Sequence, residues 1–197
     1  QLKSVDISGY KKYDLYEELI EKEKKAQNNY VKSFAQDILS DSDNIEKMKS
    51  TQFCLVHSDL NRDNILFQQI GGGEYKVNVI DWESIDLLPK DYQLASYLSS
   101  SLLIEGEKVE DCMKIASEVD KNFDKDFMLF LMKIRTFNGL YFFAENKNTY
   151  VEGNETVADE VLNKYLVATK RIKHYEMTSK QNPDRLHDIK TKFNKGR

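Results

Sequence analysis

Apolar residues recur at helical spacing early in the chain: Tyr13, Tyr16, Leu19 and Ile20, then Tyr30, Val31, Phe34 and Ile38, with a Glu/Lys-rich stretch at Glu21–Lys25 between the two sets. Positions spaced this way share one face of a 3.6-residue period, so two helices are predicted between residues 10 and 39. Ser40–Asn44 is a polar break whose Ser and Asp side chains suit the cap of a short helix over Ile45–Lys49. A brief apolar run, Phe53–Val56, follows, and then the period changes. Ile65–Phe67 and Lys76–Ile80 are short β-favouring runs on either side of Gln68–Tyr75, which contains Gly71, Gly72 and Gly73. This pattern predicts a β-hairpin. A triple glycine also occurs in phosphate cradles, but no Gly-Lys-Ser/Thr follows it and no helix starts after it, so a turn is the expected role. Beyond Pro89 helical spacing returns over Tyr92–Leu103, Val109–Val119, Phe127–Phe143 and Val157 to about Tyr175. In the third of these, Met128, Leu129 and Met132 fill the faces that the periodic residues leave, so a helix buried on most sides is expected, its aromatics serving the core. The predicted fold class is α+β, mainly α, with one small central hairpin.

The hairpin is bracketed by polar residues that a structural role alone does not require. His57, Asp59 and Asn64 precede its first strand, and Asp81, Trp82 and Glu83 follow its second. A hairpin brings its ends together, so Asn64 and Asp81 are expected side by side although 17 positions separate them. Transfer of a phosphoryl group from a nucleotide needs a carboxylate to take or orient the proton of the attacking hydroxyl, which Asp59 is placed to supply. It also needs hard oxygen ligands for Mg²⁺, and the amide oxygen of Asn64 and the carboxylate of Asp81 are of that kind. Plainer roles exist for the same residues: loop caps for Asp59 and Asn64, a turn former for Asp81, a core imidazole for His57. Against them stands rarity. With 3 histidines, 17 aspartates and 14 asparagines, the spacing His-x-Asp-x₄-Asn arises by chance roughly 0.02 times in such a chain.

These residues resemble the aminoglycoside phosphotransferase and choline kinase group of small-molecule kinases, relatives of the protein kinases. The catalytic loop of that group, His-x-Asp-x-x-x-x-Asn, is matched by His57, Asp59 and Asn64, and its metal-binding segment, often Ile-Asp-Trp/Phe-Glu, by Ile80–Glu83. The resemblance implies a protein-kinase-like C-terminal lobe in which Asp59 is the catalytic base, Asn64 and Asp81 hold magnesium, and His57 braces the loop. Glu83 and Trp82 would contact substrate, and ATP or GTP would be the phosphoryl donor. Where the group commonly has Tyr-Asp-Leu-Ala, this chain has Tyr92-Gln93-Leu94-Ala95, so no carboxylate is available there to lock the catalytic loop. Upstream of Leu55 the pattern is helical, with no glycine-rich strand-turn-strand and no strand lysine. The expectation is a helical lead-in over 1–52, the catalytic loop, hairpin and metal segment over 53–90, and a helical substrate-binding part over 91–197. The nucleotide-clamping N-terminal lobe of the same protein would lie outside this chain, consistent with a start at Gln1 rather than methionine. Without that lobe the 197 residues are expected to fold but not to transfer phosphate. The alternative is a non-catalytic, kinase-like binding module.

Composition narrows the setting. A chain of 197 residues that is 40% hydrophobic and 31% charged, with 2 prolines, can bury a core of its own and is not a disordered or low-complexity protein. No run approaches the roughly 20 apolar residues of a membrane span, and no signal-peptide pattern opens the sequence. Cys54 and Cys112 form no CxxC, so a reducing, cytoplasmic setting without membrane contact is expected. The net charge of −4 is unevenly spread: residues 105–126 hold eight acids against four bases, and residues 164–197 hold ten bases against three acids. Both runs read first as solvated faces. The acidic one would also suit a cationic acceptor, for which Trp82 offers a ring, although core packing is the expected role of that ring. The basic one lacks any nucleic-acid motif in a chain of negative charge, so a nucleic-acid partner is not expected.

Overall fold

The computed structural model describes residues 10, 12–145 and 155–181, with side chains in the last segment from 159 onward. The outer parts of the expected lead-in and substrate-binding regions, and most of the basic tail, lie outside the described residues. Two predicted helices open the fold, each started by a side chain that accepts otherwise orphaned backbone N–H groups. Helix α1 (Leu15–Lys25) is capped by Asp14, which accepts from Tyr16 and Glu17, and α2 (Asn29–Leu39) by Asn28, which accepts from Tyr30 and Val31. Helix α3 (Ser42–Ser50), somewhat longer than its pattern suggested, starts on Asp41.

The β content is larger than the pattern suggested. Strand β1 (Phe53–His57) is followed by the expected hairpin of β2 (Ile65–Gly71) and β3 (Glu74–Val79), and then by an unexpected β4 (Ile85–Pro89). β1 and β4 pair antiparallel, from Phe53 opposite Pro89 to His57 opposite Ile85. The hairpin strands also extend further toward the turn than predicted. Gly71, Gly72 and Gly73 all take positive φ, of 108°, 60° and 82°, a conformation with no steric cost only for glycine, so the triple glycine is a turn. The chain entering α1 borders β4, where the Tyr13 N–H donates to the Leu87 carbonyl at 3.1 Å.

Four helices complete the fold: α4 (Tyr92–Ser100), α5 (Val109–Val119), α6 (Lys125–Glu145) and α7 (Glu155–Gln181). The helix predicted to reach Leu103 leaves α geometry at Ser101, continues as a π turn over Ser101–Glu105 and stops at Gly106, which takes φ 67°. Helix α6 is the central rod. Phe127, Phe130, Leu131, Met132, Ile134, Phe137 and Leu140 are all buried, as a helix apolar on most faces must be. Phe137 meets Phe34 of α2 with ring centroids 6.4 Å apart. Truncating such a ring costs about 3–5 kcal/mol, so Phe137→Ala would break this packing. The architecture is α+β and mainly α. No helix among the described residues is long and apolar enough to cross a membrane.

Candidate active site

The two small sheets meet where the sequence places its polar residues. β1 carries His57 into the core, fully buried, and the backbone then turns through Ser58–Asn61 into a single 3₁₀ turn, Arg62–Asn64. Asn61 caps that turn, its Oδ1 accepting from the N–H groups of Asp63 at 2.9 Å and Asn64 at 3.2 Å. Its Nδ2 donates back to the Asp59 carbonyl at 3.1 Å. Asn64 Nδ2 donates to the same carbonyl at 3.0 Å. With the amide nitrogen so engaged, Asn64 presents its Oδ1 as the remaining group, the atom a hard cation takes.

The other half of the site is held to this loop by backbone and imidazole. The hairpin ladder continues past β2 and β3 through the Ile80 N–H, which donates to the Asn64 carbonyl at 3.0 Å. Asn64 therefore lies opposite Ile80, and Asp81 is one residue farther along. His57 Nε2 meets the Ile80 carbonyl at 2.9 Å, fixing that nitrogen as the N–H donor, and Ser58 N–H donates to the Ser84 carbonyl at 2.8 Å. Asp81 itself sits at φ 64°, the only positive φ of a non-glycine among the described residues. A residue in this region is uncommon and takes its backbone out of strand alternation. Its carboxylate is exposed and has no hydrogen bond or ion pair among the described residues.

Trp82 departs from its expected core role. The indole is 52% exposed, donates through Nε1 to the Val79 carbonyl at 2.7 Å, and tilts against His57 with ring centroids 5.4 Å apart. Glu83 is exposed in the turn that follows Asp81. Gln93 also departs from expectation: its Oε1 accepts from the backbone N–H of His57 at 3.1 Å. An amide oxygen therefore holds the start of the His57–Asn64 loop, at the position where the resemblance implies a carboxylate.

Residues that the sequence reading missed surround Asp59. Arg135, on α6, places Nη2 2.5 Å from Asp59 Oδ1 and Nε 3.3 Å from Ser96 Oγ. Ser96 in turn donates to the Ser58 carbonyl at 3.0 Å. Burial works against the guanidinium charge, but Tyr92, Tyr165 and Asp59 beside it outweigh burial and raise its pKa. Tyr165 of α7 lies in the same group. Burial raises its pKa, Arg135 opposes that rise, and Asp59 adds to it. The ring of Tyr165 lies over Gly139, where an added Cβ would fall 2.2 Å from its Cε1. Two signals pointed here, an arginine inside an otherwise apolar helix pattern and an isolated glycine four residues on.

The chain can offer Mg²⁺ two oxygen donors, Asn64 Oδ1 and the Asp81 carboxylate. No group of three or more His, Cys, Asp or Glu side chains able to hold a metal occurs among the described residues. Two protein oxygens, with substrate phosphates and water completing the shell, suit this cation. Two adjoining clefts of about 600 and 330 Å³ lie elsewhere, between the start of α3, α6 and the end of α7. Their buried Lys133 is matched by Glu176 at 3.1 Å and Asp37 at 3.5 Å, and no motif residue lines them.

No family model matches the chain, and no curated protein matches it. Among solved structures it is similar to an ethanolamine kinase of Plasmodium vivax, with 14% identity and a TM-score of 0.44 over 78% of this chain and 46% of that one. The chain thus spans less than half the length of that protein.

Proposed function

We propose that this chain is the catalytic lobe of a nucleotide-dependent small-molecule kinase of the aminoglycoside phosphotransferase and choline kinase type. One observation carries the reading: the His57–Ile80 hydrogen bond and the Asn64–Ile80 ladder bond join the loop of Asp59 to the residue before Asp81. A base and two oxygen ligands far apart in sequence thereby share one frame.

In the reaction, a hydroxyl of the acceptor donates a hydrogen bond to Asp59, whose Oδ1 is steadied by Arg135. Its oxygen forms a bond to the γ-phosphorus of ATP or GTP, the bond from that phosphorus to the β,γ-bridging oxygen breaks, and the hydroxyl proton passes to Asp59. The products are a phosphate ester and the nucleoside diphosphate. Asn64 and Asp81 would hold Mg²⁺, which when bound would supply charge neutralisation on the phosphates. His57 and Gln93 keep the loop in register, and Trp82 and Glu83 border the substrate side. The nucleotide is clamped by a lobe that this chain does not contain.

A second reading, a kinase-like binding module without catalysis, is favoured by the contact of Arg135 with Asp59, which occupies one oxygen of the base. One experiment separates the two. In the protein carrying both lobes, Asp59→Asn is expected to lower turnover by about 10²- to 10⁴-fold while nucleotide affinity stays within a few-fold. Equal turnover in the variant, or none in the parent with any hydroxyl compound, would favour the module. The 197-residue chain alone is expected to bind Mg-ATP weakly and to transfer no phosphate.

A further inference from the structure

Arg135 lies at the point where an acceptor hydroxyl must approach, and its chemistry restricts what stands beside that hydroxyl. A guanidinium has five N–H donors in a rigid fork and accepts nothing. One nitrogen is on Asp59 Oδ1 and one on Ser96 Oγ. The side chain is 22% exposed, so the fork is not sealed off, while the Asp59 side chain is 44% exposed. Tyr165 is held close to both by the missing side chain of Gly139. Two acids of the run 105–126, which was expected to suit a cationic acceptor, are engaged elsewhere: Glu105 pairs with Arg62 at 2.9 Å, and Asp124 pairs with Lys47 on α3.

Resting on the phosphotransferase reading of the site, we infer that Arg135 and Tyr165 form the acceptor-recognition pair, and that the acceptor carries an oxyanion, a carboxylate or phosphate, next to the hydroxyl that reacts. Asp59 faces the hydroxyl, and the remaining donors of the Arg135 fork face the lone pairs of the oxyanion. An ammonium group in that position meets a fixed positive charge, and the carboxylate beside it, Asp59, is already paired with that charge. Planar, bidentate recognition of an oxyanion is the habitual use of arginine. Gly139 belongs to this arrangement because any side chain there displaces the Tyr165 ring.

The single tryptophan of the chain, Trp82, sits beside His57 and reports on the site by fluorescence, and the Arg135 Nε–H is a resolvable NMR probe. Glycerate, glycerol 3-phosphate, inorganic phosphate and ethanolamine are titrated against the chain. Either of the two anionic alcohols is expected to move the Arg135 signal saturably, the tighter one identifying carboxylate or phosphate, and ethanolamine to leave it in place. Arg135→Gln and Gly139→Ala are each expected to weaken the anionic alcohol at least tenfold, with Tyr165→Phe, which keeps the ring, as the milder variant should either fail to fold. Ethanolamine binding as tightly as the anionic alcohols, no effect of Arg135→Gln, or inorganic phosphate binding as well as the alcohols would overturn the inference. Quenching of Trp82 by Mn²⁺ tests the metal site separately. Quenching without any preference for anionic alcohols defeats this inference alone, whereas anion binding without a metal site defeats the kinase reading and leaves the oxyanion site standing.

Discussion

The imidazole of His57 donates from Nε2 to the carbonyl oxygen of Ile80 across 2.9 Å while its own backbone N–H donates to Gln93. One fully buried residue therefore ties three segments: the strand leading to Asp59, the residue preceding Asp81, and helix α4. The ring Nδ1 is buried without a hydrogen-bond partner, so the residue specifies a geometry more than it adds net stability.

Removing that imidazole should separate the two halves of the site. His57→Ala leaves the Ile80 carbonyl without its partner and opens a space under Trp82, for a loss of about 2–4 kcal/mol in urea unfolding. Mn²⁺ quenching of Trp82 should weaken in the same variant, because Asp81 loses the anchor beside it. A variant that kept its metal affinity would show that the imidazole is only a core residue.

Asp81 is held at φ 64°, and this backbone makes a prediction that separates stability from binding. Glycine adopts the conformation freely, so Asp81→Gly should stay within about 1 kcal/mol of the parent in stability. Asp81→Val, β-branched and disfavoured at positive φ, should lose about 1–3 kcal/mol. Both should abolish Mn²⁺ quenching of Trp82. Equal stability of the two variants would mean that the backbone relaxes and no strain is held at this turn.

What the sequence made legible follows the range of the interactions involved. Helices α1 and α2 were readable from apolar positions three and four residues apart, α3 from the polar break that holds its cap, Asp41, and the glycine turn because its signal is local. Strand β4 was not, since Ile85-Asp86-Leu87-Leu88-Pro89 ends in a residue that discourages strands and has its partner, β1, some thirty positions back. The chemical motif announced Asp59 and Asn64 through their spacing, whereas the Arg135 contact with Asp59 closes over 76 positions. No periodicity encodes such a contact. The part played by Gln93 was hidden for a different reason: the motif marks a carboxylate at that position, whereas the contact uses only an acceptor oxygen, which an amide also has.

Alkaline solution should unfold this chain early. Burial pushes the Tyr92 and Tyr175 phenols up to about 12 from 10.0, and the Cys112 thiol up to about 12 from 9.0. Each is neutral when protonated, so as pH rises the unfolded chain releases these protons first. The stability they contribute is fully present below about pH 9 and is lost progressively up to about pH 12. Fully buried Tyr92, with a rise of two units, accounts for on the order of 2–3 kcal/mol of that loss. Tyr92→Phe should flatten the decline above pH 10.0, as measured by urea midpoints across the range. An unchanged decline would assign the loss to other groups.

Gln93 offers the sharpest test of how the loop of Asp59 is held. The N–H of His57 is buried, and the Gln93 Oε1 at 3.1 Å is its acceptor. An orphaned buried donor costs about 1–3 kcal/mol, more than the net gain from making the bond. Gln93→Leu keeps the volume and removes the acceptor, so it should lose that amount of stability, and hydrogen exchange at the His57 amide should accelerate. Gln93→Glu keeps an acceptor oxygen at the same reach and should hold the loop with little loss near neutral pH, provided that the half-buried carboxylate is ionised. As pH falls and that carboxylate protonates, one of its oxygens still accepts, so the stability of the Glu variant should depend only weakly on acid. If Leu and Glu were equally tolerated, the bond from Gln93 to His57 would carry no weight, and the loop of Asp59 would depend on Ser96 and Arg135 instead.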